Sequence, residues 1–305
     1  VRVYTPAAAR EAWPLLGAES DKYDRGVVGI AAGSDTYPGA AVLAVSGALA
    51  GSAGMVRYVG SAASQVLAAH PEVVATNRLS DAGRVQAWVV GSGLGTDNAA
   101  REAVDAALDR RFPTVIDADG LTTLAQLIVK DGPAAVRRRP LFAGEPTAVL
   151  TPHRRELGRL LDACAGSLAD RDPDDPLATA RALSGLLNVT LLVKGSHTLI
   201  ATPGHTAYVN VTATPALATA GTGDVLAGLL GSLLAGGMAP HEAAASAAYL
   251  HGAAGVRAER EATVTATRVA AALPEVVAET VYDRRPIPVA RPLRCPMNQR
   301  GRMRT

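Results

Sequence analysis

Five short apolar runs, rich in valine and free of charge, recur along this chain: Val27–Ala31, Ala87–Val90, Thr114–Ile116, Ala148–Leu150 and Thr190–Val193. A strand with one face in water alternates apolar and polar side chains, because successive residues point to opposite faces. Unbroken runs are expected where both faces are covered. Helix-like segments fill the intervals at 40–53, 98–110, 155–163 and 177–187. Strand, loop and helix in repetition predict a mostly parallel central sheet between two helical layers, an α/β/α sandwich. Between 194 and 210 the rhythm breaks. Two β-like runs, 197–201 and 206–209, flank the turn signal Thr202-Pro203-Gly204-His205 and predict an antiparallel hairpin at the sheet edge. Helices over 222–235, 241–259 and 267–280 are expected to follow.

The 305 residues are 48% apolar and 19% charged, which allows a sizeable core and excludes a fibrous or disordered chain. Two cysteines, Cys164 and Cys295, exclude a disulfide framework and a four-thiolate zinc site, and fit a reducing compartment. The net charge of +2 rests on the last residues. From Arg284 onward there are seven arginines and no acid, so residues 1–283 carry −5. A mildly acidic body speaks against nucleic-acid binding. Residues 284–305, with Pro286, Pro288, Pro292 and Pro296 among the arginines, read as a solvated, disordered tail behind one domain over 1–283. No basic segment followed by an apolar one opens the chain. The uncharged stretches 36–56 and 225–240 are glycine-diluted or too short to span a bilayer, and read as helices buried in a globule. A cytoplasmic protein without membrane contact is expected.

In an open α/β sheet, ligands sit beyond the carboxyl ends of the strands. Glycine and polar residues collect there after every run: Ala32-Gly33-Ser34, Gly91-Ser92-Gly93-Leu94-Gly95, Asp117-Ala118-Asp119-Gly120, Thr151-Pro152-His153 and Lys194-Gly195-Ser196-His197-Thr198. One such loop is ordinary turn chemistry; five at one edge predict a binding crevice. The sharpest segment is Gly221-Thr222-Gly223-Asp224, which opens an apolar helix. Its glycines let consecutive amides face one point, and the helix end adds positive potential, a cradle suited to a phosphoryl group. Asp224 reads equally as a capping or as a catalytic carboxylate. The helix end is expected to favour its ionised form and make it a weak base. A weak base suffices for phosphoryl transfer, which depends mostly on positioning and charge stabilisation. Neither a dinucleotide-fold glycine spacing nor a Gly-Lys-Ser/Thr phosphate loop is present.

Three lysines stand against 27 arginines, so Lys194, directly after a buried strand, reads as a compact ammonium for phosphate rather than as a chance surface lysine, the other reading its composition allows. His153 reads as a helix cap, a core histidine or a substrate contact. Asp117 and Asp119 either close a turn or bind ribose hydroxyls or magnesium. His197, His241 and His251 show no metal-ligand spacing.

Taken in order, these motifs resemble the ADP- or ATP-dependent NAD(P)H-hydrate dehydratases, a ribokinase-like family, over about 21–277. The resemblance is carried by Ala32-Gly33-Ser34 with Tyr37-Pro38-Gly39-Ala40, by Asp117-Ala118-Asp119-Gly120, and by Thr151-Pro152-His153 with Glu156. Val193-Lys194-Gly195 with Thr198 adds to it, and 221–228 matches most closely. Gly-Thr-Gly-Asp alone is shared with ribokinase-like kinases; the ordered set is more specific. The resemblance implies a ribokinase-like three-layer fold. It implies that Ala40, Gly93, His153 and Asp224 contact the hydrated nicotinamide dinucleotide, and that Lys194, Gly195, Ser196, His197, Thr198 and Gly223 hold the adenine nucleotide. Asp224, with Gly221 and Gly223, would form the catalytic centre. Ser92 stands where the family has proline, and Arg154-Arg155 where it has Pro-Gly, changes expected to alter loop shape rather than contacts.

The resemblance further implies ADP or ATP as co-substrate, Mg2+ with ligands unknown, and a homo-oligomer, for which the alanine-rich stretch 243–250 offers a packing surface. Many members carry a preceding epimerase domain. This chain begins without methionine, so part of a longer bifunctional protein, or a separate NAD(P)H-hydrate epimerase partner, is expected. The implied reaction dehydrates the S-form of hydrated NADH or NADPH at the expense of ADP or ATP, a hydro-lyase repair of the cofactor. Hydroxide leaves the ring poorly; a phosphorylated oxygen leaves well. The alternatives are a small-molecule kinase of the hydroxyethylthiazole or pyridoxal type and a nucleotide-binding protein without turnover.

Overall fold

The structure, a computed structural model, describes residues 1–14, 19–168 and 175–282. The basic tail from Arg284, the boundary at 283 and Cys295 lie outside the described residues. The strands are β1 (Arg2–Val3), β2 (Val27–Ala31), β3 (Met55–Val59), β4 (Val74–Thr76), β5 (Ala87–Val90), β6 (Thr114–Ile116), β7 (Ala148–Leu150), β8 (Thr190–Val193), β9 (Thr198–Ala201) and β10 (Tyr208–Asn210). The helices are α1 (Pro6–Ala12), α2 (Pro38–Leu49), α3 (Ala63–Ala69), α4 (Asn98–Leu108), α5 (Asp119–Asp131), α6 (Pro133–Arg137), α7 (Arg154–Ala163), α8 (Pro176–Leu187), α9 (Thr222–Ala235), α10 (Pro240–Glu261) and α11 (Ala266–Val281).

All ten strands join one sheet in the order β1-β10-β9-β8-β7-β6-β5-β2-β3-β4. β9 runs antiparallel to both neighbours, and every other pairing is parallel. The unbroken apolar runs now have their reason. Val28, Ile30, Val89, Val149 and Leu192 enter a core shared with α2, α9, α10 and α11. Their neighbours Val27, Ala31, Trp88, Val90, Leu150 and Leu191 enter a second core with α4, α5, α7 and α8. Both faces are covered, so the runs are almost wholly apolar, and the two polar residues in them are buried with partners, Thr114 Oγ1 donating to the Phe112 carbonyl and Thr190 paired with Thr202.

α9 is buried along its whole length from Val225 to Ala235. Glycines let it approach its neighbours closely. A Cβ on Gly228 would overlap the Ala44 carbonyl of α2, one on Gly47 the Val225 carbonyl, and one on Gly231 the Val89 side chain of β5. The helix that begins with the Gly-Thr-Gly-Asp motif is thus fixed against the middle of the sheet.

Four expectations need correction. The hairpin β9–β10 is antiparallel as expected, but β1 pairs outside it, so the hairpin is not the outermost element. At the other side, β3 and β4 extend the sheet by two strands that the apolar runs did not indicate. β3 carries Arg57, β4 is three residues long with Val74 exposed, and β1 has two residues, so none shows the pattern of a covered strand. The first long helix ends at Leu49 rather than near 53, because the chain then passes beneath α9, where the Ala53 amide donates to Ser232 Oγ (2.9 Å). Finally, the alanines of 243–248 are buried in the chain's own core, so that stretch offers no surface to another subunit. Among the described residues, no helix is long and apolar enough to cross a membrane.

Candidate active site

The loops that leave β2, β5, β6, β7 and β8 are laced together by their backbones. The Gly33 amide donates to the Ser92 carbonyl (2.7 Å), Asp117 to Val90 (3.1 Å), Thr151 to Ile116 (3.2 Å) and Lys194 to Pro152 (2.8 Å). The five polar segments therefore do share one edge. Gly91 and Gly93 make the second loop possible. Both have positive φ (128° and 64°), and a Cβ on Gly91 would overlap the Asp117 carbonyl. A Cβ on Gly93 would lie 2.6 Å from Cβ of Ala40, so these two residues adjoin.

Asp117 is the hub of the charged groups. It is 1% exposed and accepts from Thr151 Oγ1 (2.7 Å), Lys194 Nζ (2.8 Å) and Ser92 Oγ (3.0 Å). Lys194 Nζ also lies 3.9 Å from Glu156. A Cβ on Gly223 would stand 3.5 Å from Nζ, which puts the ammonium at the amide end of α9. Burial opposes the charge on Lys194, but Asp117 and Glu156 outweigh it and hold the ammonium above its ordinary value. So Lys194 is no chance surface residue. Ser92 keeps the loop where the family has proline and adds a hydroxyl to this network.

Asp224 departs from expectation. Burial first, then the charge of Asp117, push its carboxyl up to about 7, against the pull of the Ser92 hydrogen bond and of Lys194; Asp119 adds to the rise. The weak base expected from the helix end is not what forms. A terminal helix dipole stabilises a carboxylate by roughly 0.3–1 kcal/mol, less than desolvation beside another carboxylate costs here. The capping reading also loses support. Gly221, at φ 87°, is the N-cap of α9, and no side-chain hydrogen bond caps the helix. Its first amides are left for a ligand.

His153 is both a cap and a wall. Its Nδ1 accepts from the amides of Arg155 (3.1 Å) and Glu156 (3.2 Å), while Glu156 accepts from the His153 amide (2.8 Å). It also lines a cavity of about 570 Å³ together with Lys194, Gly195, Ser196, Thr198 and Gly223. That volume suits a small-molecule ligand. His197 is exposed and outside the lining; Ala40, Gly93, Gly221 and Asp224 are half-buried and also lie outside it. Lys194 and Gly223 join the two groups, since they line the cavity and adjoin Asp224.

One wall residue carried no signal beyond being a histidine in an alanine-rich helix. His251 is 7% exposed and lines the cavity. Burial lowers its pKa to about 4, so the ring is neutral, and it bonds the Thr222 backbone. Its Nε2 has no hydrogen-bond partner among the described residues. Among the described residues, no three His, Cys, Asp or Glu side chains converge as a metal cage.

A family model described as NAD(P)H-hydrate dehydratase matches residues 28–275. A bifunctional NAD(P)H-hydrate repair enzyme of Mycobacterium tuberculosis is 49% identical over 79% of this chain and 47% of its own length. An ADP-dependent (S)-NAD(P)H-hydrate dehydratase of Neisseria meningitidis is 37% identical over 77% of this chain and 78% of its own length. The chain spans about half the length of the bifunctional curated relatives it matches. Among solved structures, the ADP/ATP-dependent NAD(P)H-hydrate dehydratase of Bacillus subtilis, co-crystallised with ATP and Mg2+, is 28% identical with a TM-score of 0.77, over 92% of this chain and 99% of that one. A ribokinase-like superfamily protein of Enterococcus faecalis has a TM-score of 0.79 at 23% identity, over 92% and 96%, which makes the fold ribokinase-like.

Proposed function

This chain belongs to the NAD(P)H-hydrate dehydratase family, and from that premise we propose that it dehydrates the S-form of hydrated NADH or NADPH at the expense of ADP or ATP. The observation that carries the reading is the Asp224 carboxyl, tuned to about 7, beside the uncapped amide end of α9 and the Lys194 ammonium. The cavity takes the nucleotide, with Lys194, Gly195, Ser196 and Thr198 along its wall and the amides of Gly221 to Gly223 around the phosphoryl group to be moved. Ala40, Gly93 and His153 hold the dinucleotide so that its ring hydroxyl faces Asp224.

Asp224 takes the proton of that hydroxyl as its oxygen bonds phosphorus and the donor leaves as AMP or ADP. The lone pair of the ring nitrogen then expels phosphate by breaking the carbon–oxygen bond. Loss of a proton from the adjacent carbon restores the reduced nicotinamide. Lys194 and the α9 amides stabilise the charge that spreads over the moving phosphoryl oxygens. Mg2+ fits as a companion of the nucleotide phosphates, since the described residues offer carboxylates but no three-residue cage; when bound it would offset phosphate charge. The bifunctional repair relatives support a second activity, fused or separate, as a partner, in this reading an epimerase that supplies the S-form, and a cytoplasmic setting suits these substrates.

The test is incubation with hydrated NADH plus ADP or ATP, following the absorbance of the reduced nicotinamide and free phosphate together. Both are expected to rise in equal amounts. Because the base must be ionised, kcat is expected to climb with pH through about 7. Equal rates at pH 5 and pH 8 would contradict Asp224 as the base. A stable phosphorylated product without regained absorbance would mark a small-molecule kinase instead.

A further inference from the structure

We propose that Asp117 and Ser92 are a positioning pair for Asp224: Asp117 holds the Lys194 ammonium at the amide end of α9, and the Ser92 hydroxyl spans the two carboxylates. The proposal rests on the function proposed above. Its grounds are geometric. Asp117 is buried, with three donors on its carboxylate, and two of them, Lys194 and Ser92, also act on Asp224. Thr151 is the third and has no such second role. A hydroxyl has one hydrogen to give. When Asp224 is protonated, the Ser92 hydroxyl donates to Asp117 (3.0 Å) and can accept from Asp224; when Asp224 is ionised, the same hydrogen is drawn to it. Ser92 thus follows the proton that Asp224 takes from the substrate.

Every charged or titratable group around this carboxyl enters the prediction. Asp117 at the end of β6 and Asp119 at the start of α5 oppose ionisation of Asp224, and Lys194 after β8 favours it. Glu156 of α7 and the His153 cap act at one remove, Glu156 on Lys194 and His153 on Glu156. His251 of α10 is neutral. Ser92→Ala removes a bond that favours the ionised form, so it raises the pKa of Asp224. Asp117→Asn removes a repelling charge and frees Lys194 to face Asp224, so it lowers that pKa. The two variants must shift in opposite directions.

The experiment measures the acid limb of kcat with hydrated NADH and ATP in wild type, Ser92→Ala and Asp117→Asn. The limb is expected to move up by about one pH unit in Ser92→Ala and down by about one in Asp117→Asn, with Ser92→Thr restoring the wild-type position. A merely structural role would lower kcat or stability without moving the limb. Ser92→Ala carries the test alone if Asp117→Asn does not fold. A second readout needs no turnover: the pH at which the Tm gain from Asp224→Asn in the nucleotide-free protein levels off, which is set by the folded-state carboxyl, should shift up in the Ser92→Ala background, and the gain at high pH should grow. An unmoved limb in an active Ser92→Ala enzyme, or shifts of the same sign, overturns the proposal and leaves the dehydratase reading intact. A wild-type protein that restores no reduced nicotinamide overturns the dehydratase reading itself, and with it the role of this pair in that reaction.

Discussion

Asp224→Asn is expected to remove turnover by at least about 10²-fold, to leave nucleotide affinity within a few-fold, and to make the protein more stable at pH 8. The amide keeps the size of the side chain but cannot take a proton. Nucleotide affinity survives because the cavity wall is made by Lys194, Gly195, Ser196, Thr198 and Gly223, not by Asp224. The stability gain follows from the same environment that makes Asp224 a base. Its carboxyl is raised from 3.8 to about 7 in the folded protein, chiefly by burial and by Asp117. Folding therefore favours the protonated form. That contribution is full below about 3.8 and is lost as pH rises through 7, where the folded chain must hold a poorly solvated charge. Neutralising the group relieves a cost of order 3 kcal/mol at pH 8, allowing for its partial contact with solvent, and nothing near pH 4. Thermal melts of both proteins across this range should diverge with rising pH. A parallel pair of curves, or an activity within tenfold of wild type, would remove Asp224 from the role given to it.

The second large effect is expected at Lys194. Lys194→Ala leaves the Asp117 carboxylate, whose side chain is 2% exposed, without its cation. Breaking such a pair by removing one partner costs about 3–5 kcal/mol, because the other charge stays buried. The lower part of that range is expected, since Thr151 and Ser92 still donate to Asp117. Nucleotide affinity should fall at least tenfold, about 1.4 kcal/mol, as the ammonium at the α9 amides is lost. Lys194→Arg is not expected to restore it, because a planar fork does not fit where a compact ammonium lies between Asp117, Glu156 and Gly223. Calorimetric titration with ADP, alongside thermal melts, checks both effects. Wild-type affinity in a folded Lys194→Ala protein would place the nucleotide elsewhere.

What could be read along the chain was whatever neighbours in sequence determine together. The continuous runs at β2, β5, β6, β7 and β8 announced a sheet covered on both sides, and the glycines before Asp224 announced a helix end open to a ligand. β1 was hidden because it is two residues long and pairs with β10 near the other end of the chain, whereas β3 and β4 pair with their neighbours in sequence but are masked by Arg57 in β3 and by the shortness and exposed Val74 of β4. The same limit applies to the site. That Lys194 meets Asp117, that Ser92 joins Asp117 to Asp224, and that His251 stands against Thr222 are facts of topology, which puts the ends of β5, β6 and β8 side by side with α9 and α10. The basicity of Asp224 shows the difference most clearly. Its local setting, the first turn of a helix, argues for a weak base, whereas its three-dimensional setting, buried beside Asp117 and Asp119, makes it a stronger one.

The fate of one oxygen atom tests the whole scheme most directly. Hydrated NADH prepared in 18O-labelled water carries the label in its ring hydroxyl. If the side chain at 224 directs that oxygen onto phosphorus, the phosphate released with ADP or ATP in ordinary water should contain one labelled oxygen per reduced nicotinamide regained. Unlabelled phosphate, with the label recovered in the solvent, would mean that the hydroxyl left without ever being phosphorylated.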